Sequence, residues 1–387
     1  MTKFTVNIER DLDGEEMIDF LSRVYGPNYF EARSVFHMIF THEPSLRAEN
    51  FITARSSKGH LIGVVRIVDR KIGIDGVALE CGGISSVGVH AQWRGQGVCS
   101  ALMRQAIKVM KERGKDISVL HGRRAVDGFY GQFGYQGVGR YLDLEVNFPE
   151  SSRISLKAEP YKESDLKSIM KFYKETYSDL TGAVLRDDPL WKYLLAVMKN
   201  SKERICVFVC KQNGKSTGYF VLNEKKVIEM AVPESCFGTV SGIFQSLPVE
   251  ALTIHPRHPY YRFCRTRMNT IQKERFALDG GYMAKVINEE TLLRKIGPAL
   301  AQRAEVLRIC DQVVRLRQFE IHLGNGAVSK TNEADDISFE NQAHGIRFLL
   351  RVDSLRDIWG ASWNGEKPWI PFLFEGLCYH TSAWDEL

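Results

Sequence analysis

The sequence predicts two α/β units in tandem followed by a small α+β unit, and three observations carry that prediction. The chain has 387 residues, more than one hydrophobic core usually serves, so two or three domains are expected. A succession of strand, helices, hairpin and strand-to-helix junction runs to about residue 148, breaks at the polar stretch Pro149-Glu-Ser-Ser-Arg153, and restarts. From Asn288 the pattern changes again, to one helix followed by alternating segments. The expected units are residues 1–148, 152–288 and 289–387.

In the first unit a strand at 4–9 leads into a helix at Gly14–Tyr25 and a second helix near Phe30–Phe40. Asn50–Arg55 and His60–Asp69 read as a hairpin around Ser56-Ser-Lys-Gly59. Ile84, Val87 and Val89 mark the next strand. Val98, Leu102, Ala106, Val109 and Met110 recur at helical spacing through Arg113, with Gly114 at the C-terminal cap. Ile117–His121 is a strand, and the alternation in Tyr141–Phe148 is expected to close the unit. In the second unit Ile154–Lys157 is a strand and Glu163–Tyr177 a helix. Arg204–Lys211 and Ser216–Leu222 form a hairpin around Asn213-Gly214, and strand Lys226–Val232 precedes helix Ser235–Leu247. The third unit opens with helix Glu289–Arg303, continues as strands Val314–Leu323 and Gly345–Val352, and has a helix near Ser354–Gly360.

The most informative stretch is the junction after Val89. Arg94-Gly-Gln-Gly97 is a glycine-rich turn that feeds the helix beginning at Val98-Cys-Ser100. Such a turn leaves several backbone N–H groups aimed at one spot, where the helix dipole favours an anion. Arg94 adds a guanidinium whose fork suits phosphate. Gly95 and Gly97 let the backbone approach a ligand closely. The turn lacks the Gly-x-x-x-x-Gly-Lys-Ser/Thr pattern of a nucleotide P-loop and the Gly-x-Gly-x-x-Gly of a dinucleotide fold. Downstream, Gly128-Phe-Tyr-Gly-Gln-Phe-Gly-Tyr135 is an aromatic cluster. Clusters of this kind are commonly core, and Phe133 and Tyr135 are read as core.

Bulk properties exclude several classes. Hydrophobic residues make up 44% and charged residues 26% of the chain, an ordinary globular balance, and the net charge of +5 is too slight and dispersed to point to nucleic acid. No apolar run reaches membrane-spanning length and Met1–Asn7 has no signal-like apolar region, so a cytoplasmic location with no membrane partner is expected. The terminal Trp-Asp-Glu-Leu lacks the Lys or His of an endoplasmic-reticulum retrieval tail. The eight cysteines form no Cys-x-x-Cys, and His255 and His258 sit in a proline-rich stretch, Thr253–Tyr261, read as a rigid loop. Reduced thiols and no metal site are expected.

The turn and aromatic cluster together resemble the acetyl-CoA loop and the following Tyr-x-x-x-Gly-Phe/Tyr element of the GNAT acetyltransferases. Two registers fit the loop pattern Arg/Gln-x-x-Gly-x-Gly/Ala. One runs Arg94, Gly97, Cys99 and has Cys in the last place; the other runs Gln92, Gly95, Gly97. Over nearly the whole chain the architecture is similar to that of the Eis (enhanced intracellular survival) family of aminoglycoside N-acetyltransferases. Phe129–Tyr135, Leu185-Arg186, Leu190-Trp191 and Ile254–Pro259 carry this likeness.

The resemblance implies tandem GNAT-like domains, with mixed central sheets flanked by helices, followed by a sterol-carrier-protein-like α+β domain. It implies acetyl-CoA as co-substrate, held by Val87, Gly88, Val89, Arg94, Gly95, Gln96, Gly97, Val98, Cys99 and Ser100. It implies catalytic roles for Tyr130 as general acid, for the terminal carboxylate of Leu387 as general base, and for Ser85 as a residue lining the site; Ser85 is equally an ordinary strand serine. It also implies a homo-oligomer. Leu387 replaces the family's usual aromatic terminus, and Gly95 and Gln96 stand where the family often has arginines. The second unit's junction, Val232-Pro-Glu-Ser-Cys236, has no arginine and no Gly-x-Gly, and Glu234 would repel phosphate, so CoA is not expected there; the unit reads as a degenerate GNAT-like domain or an unrelated α/β domain. The activity implied is acetyl transfer to a primary amine of an aminoglycoside-like or other polyamine small molecule. The alternatives are transfer to a protein lysine or amino sugar, and a non-catalytic acyl-CoA- or lipid-binding protein.

Overall fold

Two seven-stranded sheets organise the chain, and each takes one strand from the other's stretch of sequence. The structure, a computed structural model, describes residues 4–26, 28–122, 128–138, 140–148, 156–200, 205–247, 249–276 and 281–374. The first stretch contains β1 (Phe4–Ile8), α1 (Gly14–Tyr25), α2 (Tyr29–His42), β2 (Phe51–Ser56), β3 (Leu61–Ile74), β4 (Val77–Val89), α3 (Val98–Glu112), β5 (Ile117–Gly122), β6 (Gln136–Gly137) and β7 (Arg140–Val146). The second contains β8 (Lys157–Pro160), α4 (Leu166–Tyr177), α5 (Asp188–Asn200), β9 (Ile205–Gln212), β10 (Lys215–Asn223), β11 (Lys226–Ala231), α6 (Phe237–Ser246), β12 (Ala251–Ile254), α7 (Pro259–Arg267), β13 (Thr270–Phe276) and β14 (Gly281–Val286). The third contains α8 (Glu289–Leu307), β15 (Val313–Leu316), β16 (Phe319–His322), β17 (Ala327–Lys330), β18 (Ile337–Phe339), α9 (Gln342–Leu349), β19 (Ala361–Trp363) and α10 (Ile370–Leu373).

The first sheet runs β1-β2-β3-β4-β5-β14-β6 and the second β13-β7-β12-β11-β10-β9-β8. Only β4–β5 and β11–β12 pair in parallel; the other neighbours are antiparallel. The two orders match position for position when the first is read from β1 and the second from β8. β14 follows the parallel pair in one sheet and β7 follows it in the other, so the strand exchange is reciprocal. β7, expected from sequence to close the first unit, instead lies between β12 and β13 of the second sheet. Its alternation was legible, but alternation does not say which sheet a strand joins.

Local chemistry accounts for the elements around the site. Asp13 caps α1 by accepting the Glu16 N–H at 2.9 Å, and Met17, Ile18, Phe20 and Leu21 form the helix's buried stripe. α3 lies across β3 and β4, where a Cβ on Gly63 would meet Leu102 and Val98 at 2.9 Å and one on Gly82 would overlap Met110. Side chains at those two strand positions would push the helix off the sheet. β3 and β4 are longer than their apolar runs suggested because Asp75-Gly76, with φ of 53° and 75°, turns one strand into the other. The Asp-Gly dipeptide was the available signal.

The third stretch packs on the far end of the first sheet. Leu292, Leu293, Ile296 and Leu300 of α8 share a core with Ile72, Ile74, Leu79, Ile117 and Val119. Buried ions tie the two regions: Asp75 meets Arg303 at 2.7 Å and Arg351 at 3.4 Å, and Asp116 meets Lys295 at 2.5 Å. Two strands expected here are otherwise. Val314–Leu323 is the β15–β16 hairpin, turning at Arg317-Gln318, both at positive φ. Gly345–Val352 belongs to helix α9 and the turn after it, and its Arg347 and Arg351 are each 1% exposed. Arg347 donates to the Gly137 carbonyl and pairs with Asp353 at 2.6 Å. The helix expected near Ser354–Gly360 is a single turn at Leu355–Asp357. Among the described residues, no helix is long and apolar enough to cross a membrane.

The stretch Thr253–Tyr261, expected as a loop, contains the end of β12 and the start of α7, with Pro259 in the first helical turn. His258 caps that helix: Nδ1 accepts the Tyr260 N–H at 3.1 Å, and Nε2 lies 3.0 Å from the Met230 carbonyl, to which it donates. Full burial lowers the His258 pKa from 6.5 to about 4. Protonating Nδ1 would also destroy the cap. With the folded value depressed, the unfolded chain binds more protons, so this stabilisation is full above pH ~6.5 and is lost as pH falls toward ~4. We expect urea unfolding free energy to drop by about 2 kcal/mol between pH 7.5 and 5 on account of this residue. His258→Asn, which keeps a capping oxygen, should flatten that dependence; an equal slope in both proteins would assign the loss elsewhere.

Candidate active site

The site begins where β4 leaves β5. The two strands pair only from Cys81–Ile84 against Ile117–Leu120. Immediately beyond, β4 carries one extra residue relative to β3, and Ser86 takes φ of 50°. A bulge of this kind bends the strand and re-aims its groups. The His90 N–H donates to the Ile62 carbonyl at 2.9 Å, and Gly88 is paired with Val64. By alternation the Val87 and Val89 backbone groups face away from β3, into the gap beside β5. Two of those groups are met by side chains: Tyr25 Oη donates to the Val87 carbonyl at 2.9 Å, and Arg94 Nε to the Val89 carbonyl at 3.3 Å. The N–H groups of Val87 and Val89 stay directed into the gap.

The N-terminus of α3 opens beside the same gap. A helical turn at Ala91–Trp93 leads through Arg94 to Gly95 and Gly97, with φ of 72° and 82°. These left-handed values are strained for any residue with a Cβ. A Cβ added at either glycine would meet no protein atom within 4 Å, so the turn is open on that side and its backbone is accessible. No side chain caps α3, in contrast to α1, α2, α7 and α8. The first N–H groups of the helix, at Val98, Cys99 and Ser100, have no intrahelical acceptor. Arg94, Gly95, Gln96 and Gly97 are exposed, and Gln96 Nε2 donates to the Gln92 carbonyl at 2.8 Å, bracing the loop. The geometry suits a diphosphate on the helix terminus and an extended chain along β4.

Tyr130 closes the inner end. It is 8% exposed and packs edge-on against Phe129 at 5.2 Å and Tyr135 at 6.2 Å. No described residue hydrogen bonds its hydroxyl. Burial, with smaller contributions from Cys99 and Tyr25 nearby, raises its pKa well above the ordinary phenol value, so it stays protonated at neutral pH. Burial likewise pushes the Cys99 thiol up to about 11, leaving it un-ionised and a poor nucleophile. Tyr135 is core: fully buried, with its hydroxyl 2.7 Å from Ser118 Oγ.

Beside the bulge, two buried polar side chains meet on the strands β3 and β4. Ser85 is buried and its Oγ accepts from Arg66 Nη2 at 3.3 Å. Tyr25 and Arg66 were not singled out in sequence. Tyr25 carries no signal beyond ending a helix. Arg66 does: it interrupts the apolar run Leu61-Ile-Gly-Val-Val-Arg-Ile-Val68, where a charge is costly unless used. Leu387, with Asp385 and Glu386, lies outside the described residues.

The second sheet has a corresponding gap, and side chains close it. β11 pairs with β12 only at Lys226 and Val227 and also carries an extra residue. There Tyr177 Oη donates to the Met230 carbonyl at 2.9 Å, joined by His258 at 3.0 Å. Arg186 forms a bidentate, fully buried pair with Glu229 at 2.9 and 2.6 Å, and Tyr219 donates to the same carboxylate at 2.7 Å. The helical turn at Glu234–Cys236 before α6 has no glycine.

Residues 9–138 match the family model for the acetyltransferase (GNAT) domain. No curated protein matches the chain significantly. Several solved structures share its fold over 98% of its length. A GCN5-related N-acetyltransferase from Anabaena variabilis aligns with a TM-score of 0.70 at 12% identity, covering 98% of that chain. A probable N-acyltransferase from Enterococcus faecalis aligns at 0.68 and 14%, covering 97% of that chain, and Eis1 from Mycobacterium abscessus at 0.65 and 13%, covering 98%. The chain is therefore an acyltransferase with a GNAT domain in its first part and a mixed α/β fold built on two large sheets.

Proposed function

We propose that the first unit transfers acetyl from acetyl-CoA to the primary amine of a small molecule, and that the second unit binds no CoA. The observation that carries this reading is the convergence, at one gap in the first sheet, of the uncapped α3 N-terminus, the outward N–H groups of Val87 and Val89, and the protonated Tyr130 hydroxyl. The matching gap in the second sheet is closed by Tyr177 and His258.

In this reading the N–H groups of Val98, Cys99 and Ser100, with Gly95, Gln96, Gly97 and the Arg94 guanidinium, hold the diphosphate. β4 from Val87 to Val89, with Gly88 fixing it against β3, holds the pantetheine arm as an added strand. Bound acetyl-CoA supplies the thioester whose acyl carbon the amine attacks, forming the C–N bond as the C–S bond breaks. The Val89 N–H polarises the acyl oxygen. Tyr130 gives its proton to the departing sulfur. The terminal carboxylate of Leu387 takes the proton from the amine, directly or through water; a lysine-like amine is protonated below pH ~10.4 and must lose that proton to react. Ser85, beside the bulge, lines the site. The third unit is read as the sterol-carrier-protein-like domain, packed on the first sheet.

Three measurements test this. Calorimetry should show one CoA per chain, and Arg94→Glu should weaken it at least about tenfold, because a repelling charge replaces an attracting one at the diphosphate; two sites, or full affinity in the variant, would defeat the assignment. Tyr130→Phe should keep CoA affinity and lower turnover with an amine panel by about 10²–10⁴-fold, the worth of a general acid. Undiminished turnover would return Tyr130 to the core. A C-terminal tag, which turns the last carboxylate into an amide, should abolish acetylation, whereas an N-terminal tag and Leu387→Phe should not. Equal activity of the two tagged proteins would remove the carboxylate from the reaction.

A further inference from the structure

Among the described residues, most buried guanidinium groups have a carboxylate. Arg70 is bidentate to Glu43 at 3.0 and 2.8 Å, Arg186 to Glu229, and Arg347 meets Asp353. Arg351 lies 3.4 Å from Asp75. Arg66 is the exception. It is 3% exposed, its one hydrogen bond is to the Ser85 hydroxyl, and its Nε and Nη1 have no partner. Glu43 is the carboxylate that acts most strongly on Arg66, but its two oxygens already serve Arg70 and the backbone and hydroxyl of Ser45. Arg66, Arg70 and Glu43 together therefore leave one positive charge in excess. Arginine does not shed its proton in proteins, so the excess persists. A buried charge with donors unmet is strongly destabilising unless something pairs with it.

The position of this charge matters as much as its isolation. Arg66 stands opposite Ser85 across the β3–β4 pair, one residue from the bulge at Ser86. Tyr25, whose hydroxyl holds the Val87 carbonyl, is close enough to influence both Arg66 and Tyr130. The unpaired guanidinium thus sits at the acceptor end of the gap, on the α1–α2 side of the sheet, across Tyr25 from the proposed proton donor. A polycationic acceptor would be repelled there.

We propose that Arg66, with the Ser85 hydroxyl, binds a carboxylate carried by the acceptor, so that the substrates are amino acids or amines of similar kind rather than polyamines. This rests on the reading of the first unit as an amine acetyltransferase and narrows its substrate class. Arg66 acts by binding, through a two-pronged pair with the carboxylate that leaves the amine free toward the thioester.

The test uses the full chain and matched amines that differ only by the carboxylate: lysine with cadaverine, ornithine with putrescine, phenylalanine with phenethylamine. CoA release from any of them establishes acetyl transfer; release from none would fail the underlying reading and is scored separately from the ratio within pairs. For the pair acetylated fastest, kcat/KM should favour the carboxylate member at least about tenfold, since a buried charge left unmet penalises the analogue that lacks its partner. Arg66→Met should collapse that ratio to within about threefold through KM for the amine, and Arg66→Lys should retain part of it. A binding readout accompanies the kinetics: the amino acid should raise the melting temperature of the wild-type CoA complex and not that of Arg66→Met. Arg66→Met should itself be at least as stable as wild type, because an apolar side chain of similar length replaces an unpaired buried charge. A preference for the decarboxylated amines, or a ratio that survives in Arg66→Met, overturns the proposal. So does finding that removal of the last three residues lowers the melting temperature of the wild type but not that of Arg66→Met, since the chain's own terminus would then be the partner.

Discussion

One extra residue in β4 sets up the candidate site. A strand inside a sheet has both edges satisfied, and the bulge at Ser86 ends that condition on one side. Backbone groups left without a strand must find other partners, because burying them unmet is costly. Tyr25 and Arg94 take two carbonyls, which fixes the helix end and the loop to the strand they serve. The remaining N–H groups, the α3 terminus and Tyr130 then share one opening. Their convergence follows from the direction in which the strand was bent, with little needed from loop flexibility.

The second sheet shows the same geometry put to structural use. Its strand order, parallel pair and extra residue repeat those of the first. What differs is the chemistry of the fill. Arg186 has Glu229 and the rings of Tyr173 and Trp191, at 4.1 and 4.7 Å; His258 and Tyr177 reach the backbone of Met230. Every strong donor there has an acceptor. Among the described residues, Arg66 in the first sheet has only a hydroxyl. Within a single chain, the contrast separates a buried arginine held by a carboxylate from one that has none among the described residues.

Much of the first unit was legible in sequence because its signals are local. α1 spans the Gly14–Tyr25 expected for it, and the Arg94–Ser100 turn needed only glycine spacing and the helix that follows. The errors share one cause, long-range context. β7 was recognised as a strand and assigned to the wrong sheet. The segment Gly345–Val352 was read as a strand from its alternation, yet it is mostly helix and its two arginines reach buried partners brought from the first unit. Arg66 was visible as a charge in an apolar strand, but whether it was paired depended on Glu43, supplied by the end of α2 and already taken by Arg70.

The reciprocal exchange of β7 and β14 also bears on the birth of the molecule. Gly122 of β5 pairs with Gly281, and Thr253 of β12 with Asp143, so neither sheet can be completed until most of the polypeptide has left the ribosome. Contacts so distant in sequence are slow to form, because loop closure must precede any gain from pairing. Until β14 arrives, β5 presents a bare edge capable of templating association with another chain. The nascent protein therefore passes through a window of vulnerability, and the same crossing that exposes it then binds both sheets into one cooperative body.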